Sequence, residues 1–145
     1  MKIKALTNFY ESCQKEFSAH VETGLAQFPD AAPSHLCVRS TTPSAYKRQQ
    51  EYGGNLGDIT HTQHKGRDIT WVKLDLPLTH KQHRLHWLEL TAFDPLSEDE
   101  TGPQMLVFAH PDFTEAKKIC VREVPPFFIR CQKNSAEVIT GYNQK

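Results

Sequence analysis

The chain opens with apolar side chains at a strict four-residue step: Phe9, Cys13, Phe17, Val21 and Leu25. Four residues is close to one helical turn, so these positions make a stripe that drifts slowly round one face. The spacing predicts a helix over 6–28. Thr7 or Asn8 can cap its start, and Glu11 lies in the first turn, where the helix dipole favours a negative charge. Gly24 weakens its end and Pro29 stops it. From Ser34 the period becomes two. Leu36 and Val38 fall on one face of a strand over 34–39, and His35, Cys37 and Arg39 on the other. Thr42-Pro43-Ser44 opens a second helix, with Pro43 at an early position that suits it, and Gly53-Gly54 closes that helix.

Residues 59–64 and 69–74 read as the arms of a hairpin around the turn 65–68, with Trp71 and Lys73 alternating against Val72 and Leu74. A polar loop with Thr79, His80, Lys81 and Gln82 leads to a strand over 84–93. Its Leu88 and Leu90 share one face, and its Leu85, Trp87 and Glu89 the other. The acidic, Pro- and Gly-containing stretch 94–103 reads as a solvated linker. A strand over 104–110, a helix over 112–119 and a closing hairpin from 127–131 and 137–142 complete the expectation.

Composition narrows the class. A chain of 145 residues with 38% hydrophobic and 23% charged residues suits one globular domain, 1–145, with a real core. Seventeen basic and 17 acidic side chains cancel, and the basic ones are scattered, which argues against nucleic acid or an anionic membrane surface as partner. No apolar run approaches the roughly 18–20 residues of a membrane helix, and the first residues do not read as a secretory signal. Cys13, Cys37, Cys120 and Cys131 contain no Cys-x-x-Cys pair. They are expected as reduced thiols of a cytoplasmic protein, packed as small apolar groups, and a paired-ligand zinc finger is excluded.

Eight histidines stand out, six of them between His35 and His86. Either a metal site or a set of histidine-rich polar turns accounts for them. The strand faces favour a particular pair. One face of the strands at 34–39 and 84–93 is aliphatic and suits packing under helices. The opposite faces carry His35, Cys37, Arg39, Trp87 and Glu89, joined by Trp71 and Lys73. Two tryptophans do not belong on a simple solvent face. A concave sheet enclosing apolar walls and a few convergent polar groups is the economical picture. In it, His35 and Glu89 could share a divalent ion, form a hydrogen-bonded acid–base pair, or simply close the sheet as a satisfied polar contact. Cys37 beside His35 makes an unspecific thiol–imidazole arrangement.

The residues Ser34-His35-Leu36-Cys37-Val38-Arg39 resemble the His-x-x-x-Arg first strand of YecM-like proteins of the vicinal oxygen chelate, or glyoxalase-like, superfamily. Gly66-Arg67-x-Ile69 with Lys73-Leu74 resembles that family's hairpin, and Leu88-Glu89-Leu90 followed by Pro95 its glutamate-bearing strand. The resemblance runs from Ser34 to Pro95. It implies βαβββ modules forming a half-open mixed barrel around a cleft, with an added N-terminal helix: the helix over 1–32, a first module over 33–95 and a shortened second module over 103–145. It also implies a divalent metal (Zn, Ni, Mn or Fe) on His35 and Glu89, with Glu89 as ligand or shuttle base. Where the family has a second-module histidine, this chain has Gln104-Met105, so Gln104 would be the next ligand, and Glu137 a fourth. One expected function is a metal-dependent enzyme acting on a small oxygenated substrate. The other is a non-catalytic module for a small ligand or a protein, with Arg39 and Lys73 anchoring an anionic group and Trp71 and Trp87 lining the cleft. A third places His61, His64, His80, His83 and His86 in a surface metal or pH-responsive patch. Monomer and homodimer both fit.

Overall fold

The four-residue apolar step folds as α1, Ile3–Gln27, and buries Phe9, Cys13, Phe17 and Val21. The computed structural model describes residues 3–64, 66–92, 102–109, 117–119, 122–124, 127–132 and 135–140; for 64, 104, 109 and the residues from 117 onward the description is of the backbone. After α1 come β1 (Ala32–Arg39), α2 (Pro43–Leu56), β2 (Gly57–His64), β3 (Arg67–His80), β4 (His83–Thr91) and β5 (Gly102–Ala109). Four further strands follow: β6 (Lys117–Ile119), β7 (Arg122–Val124), β8 (Phe127–Gln132) and β9 (Ser135–Thr140). The result is an α+β fold. No helix among the described residues is long and apolar enough to cross a membrane.

Seven strands form one mixed sheet in the order β2-β3-β4-β1-β5-β8-β9, and β6 and β7 pair separately. β1 runs parallel to β4, and the other pairings within the sheet are antiparallel. Residues 32–91 therefore read strand, helix, strand, strand, strand, with the last strand returning beside the first. The second half is built differently. β5 lies antiparallel to β1, and its far neighbour β8 is antiparallel to it as well.

The even positions of β1 and β4, namely Leu36, Val38, Leu88 and Leu90, pack with Val72, Leu74, Leu106 and Phe108 against α1. Tyr46 and Tyr52 of α2 close over the same cluster. Thr42 caps α2 by accepting a hydrogen bond from the Ala45 amide at 3.0 Å, with Pro43 entering the first turn as its fixed φ allows. Two contacts tie α1 to β3: the Tyr10 hydroxyl donates to the Pro77 carbonyl at 3.0 Å, and Gln14 bonds both the carbonyl and the amide of Thr79.

Five sequence expectations are corrected. α1 begins at Ile3, so Thr7 and Asn8 lie inside the helix and do not cap it. Thr79 and His80 belong to β3 and not to a loop. Gly53-Gly54 does not end α2, which continues to Leu56. A Cβ on Gly53 would lie 2.7 Å from Val72 Cγ2, so this glycine lets the helix approach the sheet. Leu85 does not share a face with Trp87 and Glu89. The β3–β4 ladder shifts register between Lys73 and Leu78, and Leu85, opposite Leu78, turns into the core under α1. The helix expected over 112–119 fails at its C-terminal end, where Lys117–Ile119 is β6 and pairs in register with β7. Residues 112–116 lie outside the described set. The backbone bonds of that short hairpin, together with β-branched Ile119, outweigh the local helical preference of the preceding residues.

The two adjacent glycines of α2 give a paired test. Each gains helical propensity on conversion to Ala, so that effect cancels in the comparison. The Cβ added at Gly54 would meet only Ile59 Cδ1, at 4.0 Å, whereas the one at Gly53 meets Val72. Gly53→Ala is therefore expected to be less stable than Gly54→Ala by about 1–3 kcal/mol in urea unfolding, the range for overpacking a filled core. Equal midpoints for the two variants would show that the helix does not press on the sheet there.

Candidate metal centre

The odd positions of β1 and β4 face away from the helices. Parallel pairing sets Cys37 opposite Glu89, and the thiol donates a hydrogen bond to Glu89 Oε1 at 2.9 Å. His35, two residues earlier on the same face, brings Nε2 to 3.9 Å from the same oxygen. Its Nδ1 lies 3.1 Å from Ser34 Oγ, which orients the ring. On the other side of β4, β3 places Trp71 opposite Glu89. The Trp71 ring meets His35 edge-on, with centroids 5.1 Å apart, and meets Trp87 at 6.3 Å. His35, Cys37, Glu89 and Trp71 are all buried, at 0%, 2%, 3% and 0% exposure, so this second face is covered rather than open to water.

Burial governs the electrostatics. Loss of water raises the Glu89 carboxyl from 4.5 to about 7, against the opposing pull of the Cys37 hydrogen bond and of the Arg39 and Arg67 charges. Neutral acid and carboxylate are then both populated near pH 7 in the metal-free protein. One imidazole nitrogen, one sulfur and one carboxylate oxygen lie within 4.8 Å of one another, and this buried trio could hold a metal ion. Without an ion, the trio is a thiol–carboxyl hydrogen bond with the imidazole Nε2 standing 3.9 Å from the same oxygen.

The structure brings together the two residues that alternation singled out, His35 and Glu89. Arg39 is half-buried on the same face, one step past Cys37, and its charge acts on Glu89. Trp71 walls the trio, and half-buried Trp87 stands beyond it. Lys73 has the right parity but is exposed. It pairs with Trp87, whereas Arg39 pairs with Thr91. Those rows are four residues apart along β4, roughly 13 Å at the usual strand rise. The expected Arg39–Lys73 clamp on one small anion is thus not formed side by side. Gln104 sits in β5 at an irregularity in its pairing with β1, and its side chain lies outside the described residues, as does that of Glu137. The β5 residues opposite Cys37 and His35 are Met105 and Val107, which pack on Cys37.

Sequence reasoning paired Cys37 with His35 and missed its partner Glu89. The strand parity contained half of that signal. It also missed Arg67, whose charge reaches Glu89. Among the described residues the remaining histidines join no group of three metal donors, although His80 pairs with His83 across the β3–β4 turn. His61 bonds Thr70 at 3.1 Å, and His80 bonds Glu22 at 2.5 Å on the α1 side. His83 lines a surface cleft of about 320 Å³ with Val21, Glu22, Lys81 and Gln82, none of which belongs to the trio. The side chain of His64 lies outside the described residues. Comparisons of the chain with known protein families, with curated proteins and with solved structures find no match.

A carboxyl held above its ordinary 4.5 fits the fold better as the neutral acid. Its contribution to stability is complete below about 4.5 and is lost as pH rises through about 7. In metal-free protein that loss is expected to approach roughly 3 kcal/mol. Glu89→Gln, which still accepts the Cys37 hydrogen bond, is expected to flatten this part of the curve. Chemical unfolding at pH 5 and pH 8 checks it: an identical pH difference in the parent and the variant would mean that Glu89 ionises freely in the fold.

Proposed function

We propose that this chain is a metal-binding protein of the vicinal oxygen chelate kind, holding a divalent ion on the covered face of its sheet and acting on a small oxygenated substrate. The observation that carries the reading is the meeting of His35 and Glu89, 3.9 Å apart and buried, from neighbouring parallel strands. The strand–helix–strand–strand–strand order of 32–91 is the βαβββ order that the resemblance implies for a first module. The donor chemistry fits a borderline divalent ion: a neutral imidazole, whose second nitrogen is engaged by Ser34, and a carboxylate.

An ion held there would supply Lewis-acid polarisation of a substrate oxygen and stabilise developing oxyanion charge. The chain's own residues do the rest. Ser34 holds the imidazole ring through its Nδ1, and Trp71 keeps water from the donors and so strengthens every charge interaction among them. Glu89 would serve as a carboxylate ligand or, where its oxygen is not bound to the ion, as the base that moves a proton.

A second reading has one specific observation in its favour. Where the other half would face the trio, β5 presents Met105 and Val107. A fold that keeps its first-half donors but meets them with apolar side chains suits a non-catalytic module for a small ligand or a protein partner.

Protein purified without a histidine tag is expected to carry, or to take up on titration, about one equivalent of divalent metal per chain. His35→Ala and Glu89→Ala should each weaken uptake by more than the roughly 10–100-fold that a supporting residue costs. Elemental analysis with calorimetric titration is the measurement. Less than about a tenth of an equivalent, with no uptake, removes the metal reading and leaves the ligand module.

A further inference from the structure

We infer that Cys37 is a third ligand, bound as thiolate, and that it makes the centre select zinc-like ions over magnesium, calcium and manganese. The inference rests on the reading that the trio holds a metal, and it adds the ligand that decides which metal. The Cys37 position is fixed by backbone pairing, since its strand partner is Glu89 itself. Its sulfur already lies 2.9 Å from the Glu89 oxygen. Donors bound at about 2.0–2.3 Å in a tetrahedral set lie roughly 3.3–3.8 Å from one another. The observed 2.9 Å and 3.9 Å separations bracket that range. Replacement of the thiol proton by an ion requires shifts of about an ångström or less.

The surroundings point the same way. Met105 faces Cys37 from β5, so the described side chain opposite the thiol is itself a thioether and not an oxygen donor. Hard ions prefer six or more oxygen ligands, and magnesium keeps several waters. A dry trio with one sulfur, one nitrogen and one carboxylate oxygen is poorly matched to them. It is well matched to zinc, which binds such donors with four-fold geometry. Three protein donors leave one position for an oxygen of water or substrate, as in catalytic rather than structural zinc sites. In the competing account, Cys37–Glu89 is an ordinary hydrogen bond that closes the sheet and takes no part in binding.

Cobalt(II) reports on this directly, because a thiolate ligand gives it a strong near-ultraviolet charge-transfer band and four-fold geometry gives intense visible bands. Metal-free full-length chain titrated with cobalt(II) alone is expected to develop both, saturating at one equivalent. Zinc should displace the cobalt, and manganese and magnesium at the same concentration should not. Cys37→Ser should lose the charge-transfer band and bind zinc at least about tenfold more weakly. Cys13→Ala, which alters a thiol in the helix-side core, should keep the band. Stoichiometric cobalt binding without the band, or zinc affinity unchanged in Cys37→Ser, overturns the thiolate while the metal reading stands. Failure of the parent chain to take up cobalt or zinc overturns both. The parent spectrum decides the matter even if the Cys37 variant does not fold.

Discussion

The parallel register of β1 on β4 is the constraint on which the rest depends. It sets Leu36 against Leu88 and Val38 against Leu90 on the helix side, and Cys37 against Glu89 on the other. Alternation has a period of two, so a slip of one residue would turn Glu89 into the aliphatic layer under α1 and bring a leucine to the imidazole. The aliphatic and polar rows therefore enforce one another. A parallel pair also needs a crossover. Here the crossover is α2 with the β2–β3 hairpin, so the segment between Arg39 and His83 can be seen as the device that returns β4 to β1. α2 is held close by Gly53 at one end and by the Tyr46–Thr70 hydrogen bond of 2.8 Å further along.

What the sequence reveals follows from what alternation can encode. It assigns faces, so the helix-side leucines and the opposed His35 and Glu89 were readable without coordinates, as were the Thr42-Pro43 helix start and the closing hairpin. It does not say which residue of one strand stands opposite which residue of another. That is why Cys37 looked like a neighbour of His35 and not of Glu89, and why Arg39 and Lys73 looked like one clamp. It also assumes an unbroken ladder. The register shift at 73–78, where Pro77 lacks a donor, rotates Leu85 to the other face, and no local pattern announces it. Gly53 misleads for a related reason. A glycine that ends a helix and a glycine that admits a neighbour look alike until the neighbour, Val72, is placed.

The two halves of the chain differ in what they offer the covered face. β1 and β4 contribute imidazole, thiol and carboxyl, and β3 contributes an indole wall. β5 contributes Met105 and Val107. The chemistry is thus one-sided, with the donors drawn from the first half and apolar packing from the described part of the second. Arg39 and Arg67 both act on Glu89 by charge. They lie towards the same end of the sheet, at the close of β1 and the opening of β3. Through a medium of low dielectric their effect is larger than it would be in water, yet it does not overcome the loss of hydration at Glu89.

That balance bears on whether the trio is merely structural. Glu89 lies between Leu88 and Leu90 and against Trp71, among the driest positions of the molecule. If its task were only to close the sheet, an apolar residue of similar volume would serve as well or better, because a buried polar contact contributes little net stability and a buried carboxylate opposes folding. The hydrogen bond from a thiol is weak recompense, since sulfur is a poor donor. Arg39 and Arg67 lower the penalty without removing it. A group that opposes folding where a leucine would favour it is accounted for most simply by a use that needs its oxygens, and perturbed carboxyls beside an imidazole gather at sites of that kind. A cation bound there would reverse the energetics, making the carboxylate the preferred form.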